Sequence, residues 1–432
     1  MAKVFRDPVH GDIELSGDLV ELLDTPQMQR LRGIKQLGTA CLVYPGALHT
    51  RFDHSLGTCW MAHRLLDGLA LQGASVEAED RRAILAAALL HDVGHIPYGH
   101  TLEDERRVFP RHDTAGRLDL LLGRGELGRT LARQGLQARV RDLILGRAQP
   151  PWQSELVSAT VDADLLDYLA RDPYFCGLRH SYDPRLLRLF RIEGGHLYLE
   201  AQKQGIVRQD ALSEIINLLR LRYFLTERVY FHHTKTASGA MISRMVEQAT
   251  RLGLRLADVV PLSDERLLAT IEQRYGGDPV VARLAAALKG RRLHKRVYVL
   301  TRRIGEERRR QFVARYHNSA AGREEAEEHL TRRLRLRPGE LIVYCPALEM
   351  QFKEAEVRVR VDPGAPRSLA SLGIAEVAVL RDRYQDLWRF YVFAAAERLD
   401  KARAISLECE KYFGESNHLP ALQGGQMYLE LW

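Results

Sequence analysis

Cysteine is scarce in this chain and scattered: Cys41, Cys59, Cys176, Cys345 and Cys409 include no CxxC pair. Neither a disulfide framework nor a zinc knuckle is suggested, and reduced thiols are expected. Long apolar runs are missing too. The longest, Ala83 to Leu90, falls far short of the roughly 20 residues that cross a bilayer, and charge begins at Lys3, so a soluble cytoplasmic protein without a membrane partner is expected. A Walker lysine loop, a GxSxG elbow and an HExxH helix are absent. Gly123, Gly125 and Gly128 do spell GxGxxG, but Leu118 to Leu122 lead in with helical spacing and no βαβ pattern surrounds them. This reads as a helix-to-helix turn, not a dinucleotide site.

What is present is enough apolar material, 46% of 432 residues, for two or three units. The 63 Lys and Arg against 56 Asp and Glu leave a net charge of +7, which suits polyphosphates or nucleic acid but decides little alone. Apolar residues at helical spacing predict helices over Gln27 to Gln36, His54 to Gln72, Glu79 to His91, Arg117 to Leu122, Leu127 to Leu145, Glu155 to Arg171 and Asp210 to Val229. After a turn-like YGGDP at 275 to 279, Arg296 to Leu300, Leu341 to Cys345 and Val357 to Val361 read as strands, and Asp382 to Lys411 as a long helical stretch. The expected architecture is therefore mainly α, a helical domain over 1–290 followed by a smaller α+β domain over 291–432. The basic run Arg302 to Arg310 is read as a solvated helix face before it is read as a nucleic-acid site.

The chemically informative stretch is Ala86 to His100, AAALLHDVGHIPYGH. An apolar helix ends in His91-Asp92, and a Gly/Pro loop then offers two more imidazoles. Gly94 and Pro97 make helix continuation unfavourable, so His91 and His95 are not read as a zinc-type HxxxH pair. A carboxylate buried beside such a helix is costly unless a metal or a base neutralises it. An isolated His-Asp would pass for a helix C-terminus with a dipole-matched imidazole. Two further segments change the balance. In Tyr44 to Gly57, YPGALHTRFDHSLG, His54 opens an amphipathic helix with Arg51 just outside it. In Val161 to Asp172, VDADLLDYLARD, Asp164, Tyr168 and Asp172 share one helix face at i, i+4, i+8.

The order His54, His91-Asp92, Asp164 resembles the HD superfamily of metal-dependent phosphohydrolases. The fuller strings DPVHGDIEL at 7 to 15, QRLRGIKQLG at 29 to 38, PGALHTRFDHSLG at 45 to 57 and DYLARD at 167 to 172 are similar to the HD deoxynucleoside triphosphate triphosphohydrolases. The resemblance spans residues 5 to about 240. It implies a helical HD-domain core in which His54, His91, Asp92 and Asp164 hold one divalent metal, with Mn, Mg, Fe and Ni all compatible with two imidazoles and two carboxylates. The metal would polarise the α-phosphate as water attacks and the deoxynucleoside O5′ leaves, releasing inorganic triphosphate.

The same resemblance assigns the proton for the leaving group to His95 and His112, with Glu103 orienting one imidazole, and places His100 near the phosphates. Arg51 and Arg222 would grip phosphates. Gln36, Leu37, Tyr168, Asp172 and Tyr230 would surround the sugar, with Leu37 and Tyr230 crowding the 2′ position. His232 falls on a further matched position, and Lys235 is a weaker one. Leu165 departs from the pattern, standing where relatives generally carry Lys or Arg, so one charge-assisted phosphate contact is missing. A homo-oligomer is implied by analogy, and a nucleotide activator fits the same pattern. Two other functions compete with dNTP hydrolysis: an HD phosphohydrolase acting on other nucleotides, phosphomonoesters or nucleic-acid ends, and a nucleotide- or nucleic-acid-binding regulator without turnover.

Overall fold

In a computed structural model, residues 2–348 and 352–426 are described. At the centre lies the helix Arg51–Leu71, packed against Ala78–Leu90 on one side and Ala163–Cys176 on another. The Ala83 to Leu90 run is buried throughout. An all-round apolar helix has to be central because each buried Leu or Ile contributes about 1.5–3 kcal/mol relative to exposure. Gln209–Leu225 lies along Ala163–Cys176 from the far side. The long helix His233–Arg251 belongs to a second buried cluster that also holds Ile96, Leu102 and Tyr391.

Several expected element boundaries are corrected. The helix expected over 127 to 145 is two helices, Gly125–Arg133 and Gln137–Ile144, parted where Gly135 takes φ of +70°. The stretch 155 to 171 also divides, into Trp152–Val157 and Ala163–Cys176, because Asp162 caps a new helix by accepting from the Leu165 amide at 2.7 Å. The helix around His54 starts earlier than expected. Thr50 and Asp53 form a capping box, so Arg51 is its first residue rather than a neighbour outside it.

Strands also enter the first 290 residues. Lys3–Asp7 and Gly11–Leu15 form an antiparallel hairpin. Phe190–Glu193 and His196–Glu200 join Arg358–Arg360 and Arg367–Ser368 in one four-stranded sheet. That sheet carries hydrogen bonding across residue 290, where we retain the division into 1–290 and 291–432 as a proposal.

The long helical stretch expected over 382 to 411 is interrupted by a strand, Arg389–Ala394, the central strand between Lys295–Thr301 and Leu341–Tyr344. Its run of buried aromatic and β-branched residues is a strand signal that the helical flanks, Ala375–Gln385 and Ala402–Phe413, obscure. The basic run is only partly a solvated face, since Arg303 and Arg310 are exposed while its other arginines meet neighbouring segments. Arg302 pairs with Asp382 and Asp386, Arg308 with Glu415, and Arg309 lies over Trp388. Among the described residues no helix is long and apolar enough to cross a membrane.

Candidate metal centre and active site

Three helix ends bring the ligand-type side chains together. The capping box places Arg51 and His54 on the first turn of Arg51–Leu71. Ala78–Leu90 stops at His91, whose Nδ1 lies 2.8 Å from the Ala88 carbonyl, leaving Nε2 to face the centre. Asp162 starts the third helix, so Asp164 sits on its first turn.

His54 Nε2 lies 2.8 Å from Asp164 Oδ1, 3.2 Å from His91 Nε2 and 3.8 Å from Asp92 Oδ2. The donor atoms of His54, His91 and Asp164 all fall within 4.8 Å of one another. Asp92 borders this group, with Oδ1 3.4 Å from His91 Nε2 and Oδ2 held by Arg51 at 2.6 Å.

The charge balance favours a cation here. Burial alone would depress His54, but Asp164 and Asp167 outweigh it and hold the imidazolium up to about 10. Burial works against ionised Asp92 as well, yet Arg51, His91 and His95 keep its carboxyl well below the usual range. Two facing imidazole Nε2 atoms and two ionised carboxylates are a donor set that fits a divalent cation of intermediate hardness.

Behind the centre lies a shell that sequence reasoning missed. Asp167, fully buried, places Oδ2 2.7 Å from His54 Nδ1 and Oδ1 2.6 Å from His10 Nε2. It also accepts from Arg171 Nε and a terminal nitrogen at 2.9 Å each, and Arg171 donates onward to Asp7 at 2.8 Å. This fixes the His54 ring with Nε2 inward. Gly57 is required by the same packing, since a Cβ there would stand 1.9 Å from Asp167 Oδ1. Asp7 and His10 lie within the DPVHG string, and Asp167 with Arg171 is an i,i+4 pair, so partial signals existed.

A second cluster adjoins the first. His95 Nε2 is 3.3 Å from Asp92 Oδ1, and the His95 ring stacks on His112 with centroids 3.4 Å apart. Burial, Arg51 and His112 push His95 well below its ordinary value, so it is neutral near pH 7. Glu103 Oε2 lies 2.8 Å from His112 Nδ1. His100 is at the rim, half exposed and paired with Asp104, its ring 4.9 Å from His95.

The loop bearing these rings is pinned from a distance. Asp264, buried, accepts from the backbone amides of Tyr98 at 2.8 Å and Lys35 at 2.9 Å. One carboxylate thus ties the His95–His100 loop to the segment holding Gln36 and Leu37. Gly99 permits the approach, because a Cβ there would lie 2.8 Å from the Arg51 guanidinium.

The third group runs along the face of Ala163–Cys176 that also carries Asp164. Arg222 lies 5.2 Å from the ring centres of both Tyr168 and Tyr230. Asp172 accepts from the Tyr230 hydroxyl at 2.6 Å, while its other oxygen is 2.9 Å from His49 Nε2. Leu37 is buried, and Gln36 Oε1 is buried with no hydrogen-bond partner among the described residues. His232 stands apart: its ring accepts from the Thr234 amide at the start of His233–Arg251 and stacks on His233. Lys235 lies 3.7 Å from Glu105. His49 and Glu354, which pairs with Arg222, were not anticipated.

Comparison with known proteins adds an independent line. An HD domain model matches residues 51–172 and an HD associated region model matches residues 185–413. The uncharacterized protein YwfO of Bacillus subtilis is 31% identical over 255 residues, 58% of this chain and 56% of that protein. Deoxynucleoside triphosphate triphosphohydrolase SAMHD1 of Gallus gallus is 31% identical over 285 residues, 57% of this chain and 45% of that protein. The chain spans about half the length of the curated relatives it matches. A crystal structure of a phosphohydrolase from Bacteroides thetaiotaomicron superposes with a TM-score of 0.71 at 22% identity, covering 91% of this chain and 99% of that one.

Proposed function

The chain belongs to the HD-domain family that carries an HD-associated region, and we propose that it hydrolyses deoxynucleoside triphosphates to deoxynucleoside and inorganic triphosphate. The observation that carries this reading is the order of groups along Ala163–Cys176. Asp164 faces the candidate metal centre, Tyr168 lies beside Arg222, and Asp172 meets the Tyr230 hydroxyl. At 1.5 Å rise per residue these three are spaced about 6 Å apart. That succession matches a phosphate chain at one end and a sugar hydroxyl at the other. The sequence likeness to a dNTP triphosphohydrolase supports the same substrate.

A divalent cation bound by His54, His91, Asp92 and Asp164 would supply Lewis-acid polarisation of the phosphate under attack. The protein's own groups do the rest. Arg51 presents its guanidinium beside Asp92, where phosphate oxygens would enter. His95 and His112 stack with ring centroids 3.4 Å apart and are the groups that would supply the proton for the leaving oxygen. Glu103 orients His112 through Nδ1, which leaves Nε2 as the atom that would face the departing O5′. Leu37, buried, and Tyr230, held by Asp172, would close the space beside the sugar 2′ position.

The test is a substrate panel: purified protein with Mn(II) or Mg(II), each dNTP and each NTP, products identified by mass. The expected outcome is deoxynucleoside plus triphosphate from dNTPs, with kcat/KM for the matching NTP lower by about 10-fold or more, because a 2′-hydroxyl has to be accommodated against packed groups. Turnover confined to phosphomonoesters would contradict the reading.

A further inference from the structure

The two cations assigned to the phosphate chain are both already faced by carboxylates. Arg51 donates to Asp92 at 2.6 Å, and Arg222 Nε lies 3.0 Å from Glu354 Oε1. At position 165, where a third cation is expected, Leu165 is buried.

The two pairs differ in kind. Asp92 is a candidate metal ligand, so a bound cation would share its charge and release Arg51. Glu354 has no such second partner. It is 6% exposed, and its Oε2 is buried with no hydrogen-bond partner among the described residues.

Nor is Glu354 on a segment free to swing aside. It lies in the turn Lys353–Glu356 between core residues Phe352 and Ala355. Phe352 stacks on Tyr384 at 4.7 Å, and the Tyr384 hydroxyl accepts from Thr226, one turn beyond Arg222, at 3.4 Å. Glu354 is thus built into the wall that holds Arg222.

We propose that Glu354 is a specificity-determining residue that limits how much phosphate charge the site accepts. It acts on the site of the proposed dNTP hydrolysis and deepens that reading. Glu354 stands on the Nε side of Arg222 as an ion pair at 3.0 Å without a hydrogen bond, so the terminal nitrogens of Arg222 are the ones left to donate to a phosphate oxygen. The guanidinium keeps its fork and its charge, but the pair is close to neutral as a whole, and the second, unpaired buried carboxylate oxygen repels further anionic charge beside it. A phosphate is therefore recognised by hydrogen bonding, while each added anionic group gains little. The nearer bland account, that Glu354 merely orients Arg222, makes the opposite forecast for a neutral isostere.

Glu354→Gln separates the two, since the amide keeps the size and position of the side chain beside Nε while the charge is gone. The probes are inorganic triphosphate and orthophosphate, titrated calorimetrically into the Mn(II)-loaded full chain. In the wild type, triphosphate is expected to bind no more than about 10-fold tighter than orthophosphate. In Glu354→Gln the triphosphate Kd is expected to fall about 10-fold and the orthophosphate Kd much less, with a parallel fall in KM for dNTPs. Glu354→Asp, which keeps the charge, is expected to retain the wild-type ratio.

A wild type that already prefers triphosphate by a thousandfold overturns the proposal without any variant. A folded Glu354→Gln with unchanged or weaker triphosphate binding overturns it as well. If the affinities shift as expected but no dNTP is cleaved by the wild type, the role of Glu354 stands and the proposed substrate falls.

Discussion

Replacing His54 by alanine, or Asp92 by asparagine, is expected to abolish bound divalent metal and phosphohydrolysis together. His54 Nε2 sits at the meeting point of Asp164, His91 and Asp92, at 2.8, 3.2 and 3.8 Å. Removing it takes away one donor and leaves Asp164 without its nearest neutralising group. Asp92→Asn removes a ligand charge and also leaves Arg51, 3% exposed, without its carboxylate partner. The metal's contribution to transition-state stabilisation is several kcal/mol, so kcat should fall by about 10³-fold or more. Elemental analysis alongside turnover checks the outcome. Full metal content in either variant would place the ion elsewhere.

The second large effect is expected one layer out. Asp167→Ala strands Arg171, which is fully buried, with only Asp7, and leaves both His54 Nδ1 and His10 without a carboxylate. Breaking such a buried network by removing one partner costs about 3–5 kcal/mol, visible as a lower denaturation midpoint. Asp167→Asn keeps the shape and one acceptor, so its loss of stability should be smaller. Its metal affinity should still fall about 10- to 100-fold, because the imidazole is less well oriented and less basic. Calorimetric metal titration of the folded Asn variant checks this. An unchanged affinity would reduce Asp167 to a packing role.

The candidate ligands were legible in the sequence because each stands at a helix end with its own local signal. His91-Asp92 closes an apolar run, and Asp164 opens a polar stripe at i, i+4, i+8. The groups that orient them were harder to read. Asp167 meets His54 across 113 positions and His10 across 157, and no spacing rule reaches that far. Glu354 and Asp264 belong to the HD-associated region, and their partners Arg222 and Tyr98 are chosen by packing between distant segments.

Among the elements, short apolar runs caused the errors. Phe390 to Ala394 reads equally as buried strand or buried helix, and only its position between Lys295–Thr301 and Leu341–Tyr344 makes it a strand. The break at Gly135 follows the opposite pattern, since a helical period continues in the residues while the backbone turns left-handed.

The phosphorus that water attacks distinguishes the proposed hydrolysis from other cleavages of a dNTP. With the wild-type enzyme, Mn(II) and a dNTP in oxygen-18 water, mass spectrometry of the products locates the label. Attack at the α-phosphate with departure of O5′ predicts one oxygen-18 in inorganic triphosphate and none in the deoxynucleoside. Labelled nucleoside, or pyrophosphate accompanied by a nucleoside monophosphate, would contradict it.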